Sequence, residues 1–159
     1  MDKLLVLLWL FIFINLDAQD HDRLLEWNEP KPGQSASFPF YSESDTYVSF
    51  LGPHKFFVER LAMDLMRFDS FIFSIEYYSD CRGDSAFNRA NTKRQADSAI
   101  VYMQGKAGNH LHLIAVGYGE DSLLNNCSCE KDKPYTPCNE AQHQENRRLV
   151  VRITGIWKD

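Results

Sequence analysis

Asp80 closes an apolar, alternating stretch, and polar and cationic residues crowd in behind it. From Tyr77 the chain reads Tyr-Tyr-Ser-Asp-Cys-Arg-Gly-Asp-Ser-Ala-Phe-Asn-Arg-Ala-Asn-Thr-Lys-Arg-Gln-Ala, ending at Ala96. A carboxylate at a strand end, a turn at Gly83 and a helix carrying Asn88, Arg94 and Gln95 make a junction suited to a small zwitterion. The carboxylate would take an ammonium group, and helix N–H groups or an arginine would take a carboxylate. A second cationic pair, Arg147 and Arg148, precedes the last apolar run. It suits either such a pocket or the negative end of a helix dipole, and one of each is expected.

Plainer roles stand beside these. Asp80 would also serve as a turn carboxylate for the following helix, and Asn88 would also tie the turn by hydrogen bonds. Arg82-Gly83-Asp84 spells an integrin-binding tripeptide but reads here as the entry to a helix. Asn126-Cys127-Ser128 fits a glycosylation sequon only formally, since its middle residue is a candidate half-cystine. His110 and His112 share a strand face, yet two histidines without a third ligand make no metal site. No serine sits in a nucleophile motif and no glycine-rich phosphate loop is present, so neither an enzyme nor a cofactor is expected.

The elements that would position these residues follow from periodicity. Residues 37–41, Ser-Phe-Pro-Phe-Tyr, read as an edge strand because Pro39 cannot donate to a ladder. Thr46–Phe50 extends it or belongs to the connection. Phe56, Phe57, Leu61, Leu65 and Met66 recur at helical spacing, which predicts a helix over His54–Arg67. Phe71, Phe73, Ile75 and Tyr77 alternate with Ile72, Ser74, Glu76 and Tyr78 in a strand. Asp84 is placed to cap a helix over Ser85–Gln104, buried through Phe87, Ala96, Ile100 and Met103 and stopped by Gly105 and Gly108. Leu111–Tyr118 is a strand. Asn139-Glu140-Ala141-Gln142 has the form of a capping box for a short helix through Arg147, and Leu149–Ile156 is the last strand. The order β-α-β-α-β-(α)-β predicts an α+β fold with helices packed on one mixed sheet.

At 159 residues, 44% hydrophobic and 25% charged, the chain suits one domain. Its net charge of -5 argues against a nucleic-acid partner. Residues 1–18 combine Lys3, the apolar run Leu4–Leu16 and Ala18 before a plausible cut, which reads as a secretory signal. A retained N-terminal anchor is the alternative. Residues 19–36 read as a polar linker, and the domain proper spans 37–159. Export favours disulfides over a four-thiolate zinc site for Cys81, Cys127, Cys129 and Cys138. Three connectivities are open, and Cys127–Cys138 with Cys81–Cys129 is our working assignment.

The chain resembles the OmpA-like, peptidoglycan-associated domain over about residues 37–157. The resemblance rests on Ser79-Asp80 with Gly83 and Asn88, on Gly117-Tyr118-Gly119-Glu120, and on Asn146-Arg147-Arg148. Val58-Glu59-Arg60-Leu61-Ala62 matches a family helix pattern loosely, and the cysteine pattern looks like that of Bacteroidetes-type members. The resemblance implies a periplasmic, envelope-associated module that binds the diaminopimelate end of the peptidoglycan stem. It also implies Asp80 on the ammonium group and a motif arginine on the carboxylate. At that arginine's position stands Gln95; Arg94 is adjacent but points about 100° away on a helix. Asn91 and Thr92 replace a leucine and a serine of the family pattern. These departures imply weakened binding, with Arg147 or Arg148 in partial compensation, or a fold kept for contact with an outer-membrane or other envelope protein.

Overall fold

A mixed four-stranded sheet forms because one crossover is parallel and the other pairings are antiparallel. The computed structural model describes residues 23–40, 54–129 and 138–158. Their elements are β1 (Ser35–Pro39), α1 (His54–Leu65), β2 (Phe71–Tyr78), α2 (Ser85–Ala107), β3 (His112–Gly119), α3 (Glu140–Asn146) and β4 (Arg148–Ile156). The strand order is β1-β4-β2-β3. The strands β2 and β3 run parallel through the α2 crossover, while β4 pairs antiparallel with β1 and β2. This is the α+β arrangement expected from the element order. The signal segment, Thr46–Phe50 and the prolines of the cysteine loop lie outside the described residues.

One sheet face makes the core. Phe73, Ile75 and Tyr77 of β2 and Leu149, Val151 and Ile153 of β4 meet Val58, Leu61, Ala62 and Leu65 of α1 and Ala96, Ala99 and Met103 of α2. The buried stripe of α2 is Asn88, Thr92, Ala96, Ala99, Met103 and Ala107, a helical repeat of mostly small residues. Phe87, expected in that stripe, is half exposed because it lies off the repeat. Gly105 sits inside α2 and does not end it; Gly108, at φ 67°, does. The first helix gives way at Met66 to a 3-10 turn, and the capping box of α3 is complete, with the helix ending at Asn146.

The segment expected as linker needs correction where it is described. Leu25 and Trp27 are buried in the core, and Trp27 stacks on Phe73. Asp64 accepts the Leu24 and Leu25 N–H groups at 2.6 and 3.0 Å. Burying each such side chain contributes about 1.5–3 kcal/mol, so residues 23–27 belong to the folded unit. Leu24, Leu25 and Trp27 are too few, and too closely spaced, for a periodic signal within a polar run. The first strand also starts two residues earlier than expected, at Ser35.

The other sheet face carries a buried polar network. Glu76, 2% exposed, accepts from Ser74 Oγ at 2.6 Å, Tyr78 Oη at 2.9 Å, and Arg152 Nε and Nη2 at 2.9 and 3.1 Å. Burial alone would raise its carboxyl, but the bonds from Arg152, Ser74 and Tyr78 outweigh it and hold the group below its usual range. Burial and the bond to Glu76 push the Tyr78 phenol up to about 12.

Helix α2 approaches the end of β3 more closely than a side chain would permit. A Cβ on Gly117 would lie 2.1 Å from the Lys93 nitrogen, and one on Gly119, at φ 58°, 2.8 Å from that of Arg89.

Gly117→Ala should destabilise the protein by about 3 kcal/mol, since backbone must move, whereas Gly105→Ala, in open space, should stabilise it by up to about 1 kcal/mol. Urea midpoints at constant slope check both. Glu76→Gln should cost about 1.5–3 kcal/mol at neutral pH. Because the folded carboxyl titrates below the unfolded one, its contribution is present above about pH 4.3 and is lost as pH falls through the lowered value. The stability gap between wild type and Glu76→Gln should therefore close in acid, as read from melts across that range.

Candidate functional site

The end of β2 is held open for a buried carboxylate. Tyr78 pairs with Gly119 rather than Tyr118, a register shift that sets Tyr118 aside to stack on Tyr78 at 4.8 Å. Ser79 then donates its N–H to the Gly119 carbonyl at 2.8 Å, and Asp80 follows, 6% exposed. Asp84 caps α2 by accepting the Phe87 N–H at 2.8 Å, so Asp80 is not the cap.

The carboxylate of Asp80 is clasped by arginine. Its Oδ1 accepts the Arg82 backbone N–H at 2.9 Å and Nε at 3.2 Å. Its Oδ2 accepts Arg82 Nη2 at 2.7 Å, Arg82 Nε at 3.2 Å and Arg147 Nη1. Burial would raise the Asp80 carboxyl, but the Arg82 side-chain and backbone bonds, with Arg147, hold it below its ordinary range. Both guanidinium groups also reach Glu140, Arg82 through Nη1 at 3.0 Å and Arg147 through Nη2. Asp80, Arg82, Glu140 and Arg147 thus close a ring of alternating charge, and Gln144 Oε1 accepts from Arg147 at its edge.

Asn88 acts on the turn. Its Nδ2 donates to the Arg82 carbonyl at 3.0 Å and to Glu120 Oε2 at 2.7 Å, joining the Asp80 turn to the Gly-Tyr-Gly-Glu turn. Thr92 completes the junction: Oγ1 accepts the Gly119 N–H at 2.9 Å and donates back to the Asn88 carbonyl at 2.9 Å. The hydroxyl is what this position uses, and threonine supplies it as serine would.

The remaining candidates separate. Arg94 is exposed, with its guanidinium 6.0 Å from the Phe87 ring centre, and Gln95 is half-buried. The guanidinium groups that the structure places on Asp80 belong instead to Arg82 and Arg147. Arg148 turns away: it lies 3.8 Å over the Tyr78 ring and donates to the Asn146 carbonyl at the end of α3 and to Ser122. Asn146 is fully buried and holds the loop through Leu124 and Asn125. His112 stacks on Trp157 at 3.8 Å.

The disulfides are Cys81–Cys129 and Cys127–Cys138, the working assignment. They tie the Asp80 turn to the loop after β3, and with every sulfur so engaged no thiolate remains for zinc. His143 lies within 4.8 Å of the Cys81–Cys129 sulfurs.

Sequence reasoning missed Arg82, Glu120, Glu140 and Gln144 as parts of this site. Arg82 carried a usable signal, since a residue two positions past a turn carboxylate can fold back onto it. Glu140 and Gln144 did too, lying one helical turn apart on α3 beside Arg147.

Models of known protein families do not match the chain, and neither do curated proteins. Solved structures do. The peptidoglycan-associated lipoprotein from Burkholderia pseudomallei is similar with a TM-score of 0.55 at 20% identity, over 73% of this chain and 87% of that one. The periplasmic domain of Helicobacter pylori MotB (residues 78–256) gives 0.59 at 14%, over 82% of each chain. The cell wall anchor of the T6SS from Pseudomonas aeruginosa gives 0.56 at 13%, over 76% and 80%. At these identities the likeness is one of fold. The chain has the α+β fold of these domains, as the motifs imply.

Proposed function

We propose that the protein is a non-enzymatic, peptidoglycan-associated module of the bacterial envelope, acting in the periplasm. It would bind the diaminopimelate end of the stem peptide at Asp80. The observation that supports this most is a buried carboxylate at the end of β2, kept ionised by arginine and braced by Asn88 and Glu120. A rigid, ionised acceptor suits an ammonium ligand, and the cations beside it suit that ligand's carboxylate. Among the described residues no helix is long and apolar enough to cross a membrane.

Gln95 lies seven residues beyond Asn88 in α2, nearly the same side of the helix and about 10 Å along it. A neutral amide there supplies about 0.5–1.5 kcal/mol where an arginine would supply about 1.5–3. Arg147 stands in the ring and compensates in part.

A second reading is a fold retained for contact with an outer-membrane or other envelope protein, without wall binding. It is favoured by the internal pairing of Asp80. Co-sedimentation with purified sacculi separates the two. The wild type should sediment, Asp80→Ala should not, and Gln95→Arg should bind about tenfold more tightly. If neither wild type nor Gln95→Arg sediments, the second reading replaces the first.

A further inference from the structure

An ionised carboxylate offers about four acceptor positions, and Asp80 already receives five contacts from Arg82 and Arg147. No ammonium group can reach it as an additional partner. A ligand must displace one of the arginines.

Arg82 gives Asp80 three side-chain contacts and Arg147 one, but the two differ in how far solvent reaches them. The Arg147 side chain is 11% exposed and is shared with Gln144 as well as Glu140. The Arg82 side chain is 49% exposed, and its second partner, Glu140, is 65% exposed. Solvent screens that outer pair, so it holds Arg82 weakly. The Arg82 backbone is fixed on one side by Cys81, bridged to Cys129, and followed on the other by Gly83 at φ 98°. The side chain can therefore swing out while the backbone N–H stays on Asp80 Oδ1.

We infer that Arg82 is the specificity-determining residue of the Asp80 site, an internal occupant whose displacement makes the site select a zwitterion over a simple cation. This rests on the wall-binding reading above. A plain ammonium that displaces Arg82 leaves its guanidinium only the exposed, solvent-screened Glu140 as partner. A zwitterion exchanges one ion pair for two: its ammonium takes Asp80, and its carboxylate takes the released Arg82. Among the described residues Arg147 Nε is buried without a hydrogen-bond partner, and it offers a further donor to the same carboxylate. The cation absent at Gln95 is thereby supplied from the turn.

The test uses the full oxidised chain, titrated with meso-diaminopimelate and separately with pentane-1,5-diamine, and followed by NMR shifts into the millimolar range. Wild type should prefer diaminopimelate by about tenfold or more. In Arg82→Gln the preference should fall to within about threefold, with diamine binding strengthened, and Arg82→Lys should retain part of it. Thermal melts confirm that both variants fold. Equal binding of the two probes by wild type, or an unchanged preference in Arg82→Gln, overturns the inference. Asp80-dependent sacculus binding alongside either result leaves the wall-binding reading standing. No binding of sacculi or of either probe by any variant overturns both.

Discussion

The close approach of α2 to the end of β3 is the constraint on which the site depends. Only glycine at positions 117 and 119 lets the helix backbone lie against the strand. That distance brings the Thr92 hydroxyl onto the Gly119 N–H and the Asn88 amide onto both the Arg82 carbonyl and Glu120. With larger residues the helix would stand off, those bonds would lengthen, and the turn carrying Asp80 would lose its brace. The disulfide from Cys81 to Cys129 ties the same turn from its other side. A buried carboxylate is costly unless its surroundings are rigid and fully bonded, and these contacts supply that rigidity.

The two faces of the sheet solve different problems. One buries aromatic and aliphatic side chains under two helices and draws residues 23–27 into the same core through Trp27 and the Asp64 carboxylate. The other surrounds a single carboxylate, Glu76, with Ser74, Tyr78 and Arg152, and places Arg148 and Tyr118 on the Tyr78 ring. The adjacent residues Arg147 and Arg148 therefore serve opposite ends: Arg147 faces Asp80, and Arg148 faces Tyr78. Arg147 precedes β4 in extended backbone, so its side chain and that of Arg148 leave on opposite sides.

Electrostatically, the Asp80 region is self-neutralising. Its charges alternate around a ring, so each guanidinium is shared between a buried and an exposed carboxylate. Such a ring is complete without outside partners, so the proposed ligand would compete with an existing ion pair. For that proposed ligand, affinity would be a difference between two sets of ion pairs.

Much of this was legible in the chain itself. Alternation from Phe71 to Tyr78, the cap at Asp84 and the box from Asn139 to Gln142 are local signals, set by backbone periodicity and side-chain reach within a few residues. They determined the element order, and with it the α+β class. The glycines of Gly117-Tyr118-Gly119 were visible as a motif, but the reason for them, a helix backbone within a few ångströms, belongs to the packing. The tertiary structure alone decided which cations meet Asp80, that Phe87 faces outward, and that Leu25 and Trp27 are core. Each of these depends on contacts between residues far apart in sequence, or on a turn folding back on itself. Periodicity carries no information about such contacts, because it records which face a residue occupies and not what that face meets.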